Sequence, residues 1–130
     1  LTWQILEGKN EVPVCLIEAA ADVDAGVIYD RSTISFEGHE LNAELRHQQG
    51  KKSIQLCERF CERSAPPQGQ SQQGEPSFYA RRRPKDSELD INKSILSQFQ
   101  LLRVVDNERY PAFFTHAGHQ YRLRIEKVSE

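Results

Sequence analysis

From Ser64 to Pro76 the chain is built of Ser, Ala, Pro, Gln, Gly and Glu, with one Arg just before it and no large apolar side chain. Such a stretch has nothing to place in a core, so residues 65–76 read as a linker or surface loop. It divides the chain into two apolar-patterned parts, 1–64 and 77–130. In a chain of 130 residues neither part is large, and each has room for one modest core at most.

The first part carries two strand signals and one long helix signal. Val12-Pro13-Val14-Cys15-Leu16-Ile17 is a short β-branched run that reads as a buried strand. A turn at Asp24-Ala25-Gly26 leads into a second strand, from Val27-Ile28-Tyr29 through Thr33-Ile34-Ser35. Between about Gly38 and Arg63, Leu41, Leu45, Ile54, Cys57 and Cys61 recur at helical spacing, with Gly50 as an expected kink or break. Trp3, Ile5 and Leu6 read as the last turns of a helix that begins upstream. Two strands and one helix make a poor independent α/β core, so further strands are expected before Leu1.

Beyond the loop, Ser94–Asp106 reads as an amphipathic helix with Ile95, Phe99, Leu102 and Val105 on one face. Ala112–Thr115 and Gln120–Glu126 flank a His116-Ala117-Gly118-His119 turn and read as a β-hairpin. The predicted class is α/β, with a small α+β extension that ends in this hairpin.

Charge and cysteine content narrow the environment. A net charge of −2 with interspersed signs supplies no whole-protein field for nucleic acid or an anionic membrane, although a local basic patch is still allowed. No apolar run approaches the ~20 residues of a membrane helix. Cys15, Cys57 and Cys61 are odd in number and follow no secretory signal, which points to a reducing cytoplasm. Cys57 and Cys61 are spaced for a metal, but no His or third Cys stands at zinc-ligand spacing. Buried thiols are the preferred reading.

Three segments carry candidate chemistry. Glu18 to Tyr29 places the carboxylates of Asp22 and Asp24 on a loop leaving a strand, where α/β sheets present ligand sites. Ala20, Ala21, Ala25 and Gly26 would let a flat ligand reach the backbone there. The bland alternative is a turn-forming Asp24. Arg81-Arg82-Arg83 could be a solvated turn, a nucleic-acid patch or an anion site, and Phe78, Tyr79 and Pro84 around it favour a phosphorylated aromatic ligand. Asp106 to Tyr110 could simply end a helix before Pro111.

These segments together resemble one family. Trp3-Gln4-Ile5-Leu6-Glu7-Gly8, Val12-Pro13-Val14 and Val23-Asp24-Ala25-Gly26-Val27-Ile28 look like the helix, strand and Asp-x-Gly-x-Ile signature of the 10-formyltetrahydrofolate-dependent formyltransferases. The likeness continues through Phe78–Ser87 and Val105–Phe114, in order, over nearly the whole chain. It implies the distal part of a Rossmann-like formyltransferase domain in residues 1–64, followed by a small C-terminal subdomain in 77–130.

The resemblance also implies roles. Asp24 would be the catalytic carboxylate that handles a proton as an amine attacks the formyl carbon. Ala20, Ala21, Asp22 and Val23 would hold the pterin of the folate donor. An Arg-Arg-x-Pro-x-Asp-Ser loop resembles the branch that formylates nucleotide-linked amino sugars. Tyr79, Arg81, Arg82, Asn107 and Tyr110 would then bind the acceptor. The family also uses an Asn and a His from an Asn-x-His stretch to polarise the formyl oxygen. That stretch does not occur here, and His39, His47, His116 and His119 stand in other places, so the isolated chain is expected to be inactive. The resemblance is compatible with a homodimeric parent and involves neither membrane nor metal. The rival acceptor is methionyl-tRNA, disfavoured by the charge balance. A rival of another class is a non-catalytic module that binds a nucleotide or a partner chain.

Overall fold

Residues 1–75 and 77–128 are described by a computed structural model. Pro76, the end of the expected linker, and Ser129 and Glu130 lie outside the described residues. Helix α1 (Thr2–Leu6) buries Ile5 completely. It stops at Gly8, whose φ of 78° suits a residue without a β-carbon. The Gly8 and Lys9 N–H groups donate back to the Ile5 and Gln4 carbonyls at 2.9 Å, closing the helix end.

Strand β1 (Glu11–Ile17) pairs antiparallel with β2 (Ile28–Ser35), Val12 standing opposite Ile34. Period-two alternation turns Val12 and Ile34 inward, while Glu11, Pro13 and Cys15 face out. Helix α2 (Asn42–Cys61) lies across the pair and buries Leu45 and Leu56. Its first turn is held by Leu41 N–H donating to the Glu44 carboxylate at 2.8 Å. The break expected at Gly50 does not occur. That glycine lies on the exposed face, where it weakens the helix by about 1 kcal/mol without touching the packed face.

The expected helix over 94–106 is shorter and starts differently. A 3-10 turn, Leu96–Gln98, precedes helix α3 (Phe99–Val104). Ser94 Oγ accepts the Ser97 N–H at 3.1 Å, and Gln98 Nε2 donates to the Asp90 carbonyl at 3.0 Å. These local bonds compete with regular helix and leave Ile95 72% exposed rather than on the apolar face. Strands β3 (Ala112–His116) and β4 (His119–Leu123) form the second antiparallel pair. Ala117 and Gly118 both have positive φ between them, the backbone a tight hairpin turn requires. Neither two-stranded sheet contains a parallel pair.

The three thiols are exposed, which corrects the expectation of buried ones. Cys57 and Cys61 fall on the side of α2 away from the Leu56 face, and Cys15 is on the outward side of β1. The stretch 65–75 also does more than connect. Gln70 and Ile28 exchange both backbone hydrogen bonds, at 2.8 and 2.9 Å, so this segment straps onto β2.

One cluster contains Ile5, Val12, Ile34, Phe36, Leu45 and Val104; a second contains Leu102, Val105 and Ala112. Leu101 packs against both, so α3 joins the two parts. Between them the fully buried Arg103 pairs with Glu40 at 3.0 Å. Burial raises the Glu40 pKa, but N–H donors from Glu37, Glu40 itself and Gly38 outweigh it, and the carboxyl is held below its usual range. A depressed carboxylate contributes stability above its unfolded value of about 4.3 and loses it as pH falls through the folded value. Thermal unfolding followed by circular dichroism should therefore weaken below about pH 4.3. Glu40→Gln, which leaves the Arg103 charge uncompensated, should cost about 3–5 kcal/mol at neutral pH.

Candidate functional site

The loop between β1 and β2 is closed at its base by the Glu18 N–H donating to the Val27 carbonyl at 2.9 Å. Ala20, Ala21, Asp22, Val23 and Asp24 are all exposed, Val23 at 91%. Within 20–23 the only backbone bond among the described residues is at the Asp22 carbonyl, which accepts from Ala25 at 3.4 Å. The remaining N–H and C=O groups are free to meet a flat ligand edge-on. Asp24 sits in the left-handed region, with φ 58°. Its carboxylate makes no hydrogen bond among the described residues and faces solvent.

Gly26 is buried, and a β-carbon there would lie 1.9 Å from the Glu18 carbonyl oxygen. A glycine at position 26 is thus a steric requirement for folding the loop back on its own base. Gln72, from the strap, donates through Nε2 to the Asp24 carbonyl at 2.6 Å and the Gly26 carbonyl at 2.7 Å.

A second site lies elsewhere. A cavity of about 650 Å³ is lined by α1, the start of α2, the 80–83 segment and the corner at Asp106–Tyr110. Its size suits a ligand of nucleotide dimensions. Arg46, Arg81, Arg82, Arg83 and Arg109 line it, with Asp106 the only carboxylate among the described residues. Trp3 stacks on Tyr79 at its edge, ring centroids 5.6 Å apart and planes 11° from parallel. The Tyr79 hydroxyl donates to Glu7 at 2.9 Å; this bond, then burial and the Glu7 charge, raise its pKa.

The arginine loop is built by its own sequence. Pro84 opens the 3-10 turn Pro84–Ser87, and the Asp86 carboxylate accepts the Arg83 N–H at 2.6 Å. Arg82 is half-buried and donates to the Asp86 carbonyl at 2.7 Å and to Ser87 Oγ at 3.4 Å. It braces the loop, whereas Arg81 and Arg83 are exposed. The buried Ser87 donates to the Tyr110 carbonyl at 3.3 Å and so ties the loop to the opposite corner. The Asp106 carboxylate accepts the Glu108 and Arg109 N–H groups at 2.9 and 3.0 Å, which hold its pKa down and turn Arg109 toward the cavity.

Of the expected acceptor residues, Arg81, Arg82 and Tyr110 line this cavity, and Tyr79 borders it through its stack on Trp3. Asn107 does not line it. Its amide exchanges bonds with Ile125, donating to the carbonyl at 2.9 Å and accepting from the N–H at 3.2 Å. Ala20, Ala21, Asp22 and Val23, expected to hold the pterin, and Asp24, expected to be catalytic, also lie outside it. Sequence reasoning missed Arg46 and Arg109; Arg46 comes from a helix far from the arginine run, and no local pattern connects them.

Lys85, Arg109 and Arg122 line an adjoining depression of about 720 Å³ that shares Tyr110 with the first. None of the cations in these two hollows has an ion-pair partner among the described residues, whereas Lys9, Arg59, Arg63, Lys93, Arg103, Arg124 and Lys127 are paired. A net charge of −2 therefore conceals a local band of predominantly positive charge.

No family model matches this sequence. Solved structures do share its fold. Methionyl-tRNA formyltransferase from Clostridium thermocellum superposes with a TM-score of 0.67 at 18% identity, covering 98% of this chain and 56% of that one. A Mycobacterium tuberculosis protein described as a "likely sugar N-formyltransferase" gives 0.71 at 18%, covering 99% and 58%. HypX from Aquifex aeolicus in complex with tetrahydrofolic acid gives 0.68 at 17%, covering 95% and 22%. The fold is that of the C-terminal part of known formyltransferases, and the chain spans little more than half the length of the first two.

The tight approach at Gly26 makes a direct prediction. Gly26→Ala should destabilise the chain by about 1–3 kcal/mol, because the loop must open to admit the methyl group. An unchanged thermal midpoint would show that the loop is not held against Glu18.

Proposed function

We propose that this chain is the distal part of an N-formyltransferase that uses 10-formyltetrahydrofolate and formylates the amine of a nucleotide-linked amino sugar. In this reading residues 1–64 complete the catalytic domain, 65–76 connect, and 77–130 form the small C-terminal subdomain. The observation that carries it is the arginine-lined cavity with an aromatic stack at its edge: guanidinium groups suit a diphosphate, and a flat ring suits a base.

The amine nitrogen attacks the formyl carbon, and the carbonyl electron pair moves onto oxygen. Asp24 accepts the proton that the attacking nitrogen sheds. Collapse of the adduct re-forms the carbonyl and breaks the bond to N10 of the folate, which takes up a proton as it leaves. The products are the formamide and tetrahydrofolate. Ala20, Ala21, Asp22 and Val23 would meet the pterin through their free backbone groups. An upstream Asn and His in the longer protein would stabilise the oxyanion. No helix of the described residues is long and apolar enough to cross a membrane.

Methionyl-tRNA is the second reading, and the band of unpaired cations running from Arg46 to Arg122 favours it. Salt distinguishes the two. A polyanion contacting many phosphates loses affinity steeply with ionic strength, a single diphosphate much less so.

In the longer enzyme, Asp24→Asn should keep folate binding and lose most turnover; near-normal turnover would reject that role for Asp24. Arg81→Ala should raise the acceptor KM roughly tenfold with the folate KM nearly unchanged. Arg82→Ala should have a comparable effect and also loosen the loop that it braces. An assay offering both acceptors decides the class: formylation of the amino-sugar nucleotide supports this reading, and preference for methionyl-tRNA overturns it.

A further inference from the structure

We infer that Gln72 is a positioning residue for Asp24: a side-chain clamp, delivered by the strap, that fixes the turn from which the carboxylate is presented. The inference deepens the proposed function and rests on the reading of Asp24 as the proton-handling group.

Asp24 is held at φ 58°, the left-handed region that Asp tolerates better than most residues with a β-carbon and adopts at tight turns. Its carboxylate has no hydrogen-bond partner among the described residues, so nothing holds the side chain directly. The direction in which the side chain leaves the chain is therefore set by the backbone. Gln72 Nε2 contacts the carbonyls of Asp24 and Gly26, at 2.6 and 2.7 Å. A primary amide nitrogen has two hydrogens, and this geometry uses one on each acceptor. The two carbonyls bracket Ala25, so one planar group fixes the peptide planes on both sides of the turn.

The strap brings Gln72 there in register. Gln70, two residues earlier, exchanges both backbone bonds with Ile28 at 2.8 and 2.9 Å. Gly69 lies so close to β2 that a β-carbon would meet Val27 Cγ2 at 2.4 Å. The register of the pair Ile28–Gln70 thus sets where Gln72 falls, and the missing side chain at Gly69 lets the strap lie close against Val27. The two carbonyls occupied by Gln72 lie at and beyond Asp24, which leaves the backbone groups of 20–23 for the donor. A displacement of about 1 Å in a reacting group is enough to cost up to a hundredfold in rate.

Gln72→Met in the full-length enzyme keeps the side-chain length and removes both N–H donors. The expected result is a roughly tenfold or larger fall in kcat, an acceptor KM within about twofold of wild type, and a nearly unchanged thermal midpoint. Amide exchange at Ala25 and Glu18 should quicken. Unchanged exchange at these amides overturns the clamp. A fall in stability together with a rise in both substrate KM values overturns it too, since that pattern belongs to a structural residue alone. Asp24→Asn separates the two levels of the argument. If Asp24→Asn abolishes turnover while Gln72→Met retains it, the inference fails and the role of Asp24 stands. If Asp24→Asn turns over normally, the proton-handling role fails and the inference falls with it.

Discussion

The buried pair between Arg103 and Glu40 organises the molecule. A guanidinium taken out of water is tolerated only when its donors are satisfied, and here they are shared among several partners. Arg103 donates to the Glu40 carbonyl at 3.1 Å and its carboxylate at 3.0 Å, to Asn10 at 3.0 Å and to Gln100 at 2.9 Å. Glu40 in turn accepts the Glu37 and Gly38 N–H groups at 2.7 and 3.0 Å. Asn10 precedes β1, Glu40 precedes α2, and Gln100 lies on α3. One charged side chain thus fixes three elements that are far apart in sequence.

That arrangement sets the walls of the arginine-lined cavity. Residues 1–3 and α1 are held by Ile5 in the same cluster as Leu45 and Val104. Asn42 and Arg46 follow directly from the turn that Glu40 organises, and Val104 and Asp106 follow directly from Arg103. Removing the buried pair would loosen these walls together. A hydrophobic substitute could recover stability but would not impose the same alignment, because a methyl group has no preferred partner.

Much of this was legible in the sequence, for identifiable reasons. The strands, α2 and the turn at Ala117-Gly118 follow local rules of periodicity and backbone conformation. The Asp24-Ala25-Gly26 loop was visible because a tight turn folded against its own base demands a glycine there. What stayed hidden depends on tertiary contacts. Arg103 reads as an ordinary surface cation on a short helix, and only its distant partners make it a core residue. Arg46 and Arg109 are separated in sequence and meet at the cavity alone. The thiols were misjudged because helical spacing gives a face without saying whether anything covers it. The segment 65–76 was read from its lack of apolar side chains, a criterion blind to backbone pairing and to a glutamine that binds carbonyls.

That segment links the two halves of the proposed chemistry. Gln72 is fastened to the loop that bears Asp24, and Tyr79 to Trp3 beside the arginine-lined cavity. Only a few residues separate these anchors, and at about 3.3–3.6 Å per residue the chain between them can extend to roughly 25 Å at most. In the proposed reaction the donor carbon and the acceptor amine must meet, while the two surfaces proposed to anchor their carriers lie apart. A short tether fastened at both ends limits how far the two binding surfaces can separate. Composition suits this role: the one large apolar side chain between Gln72 and Tyr79, Phe78, is 91% exposed, so the described residues of the tether join neither core.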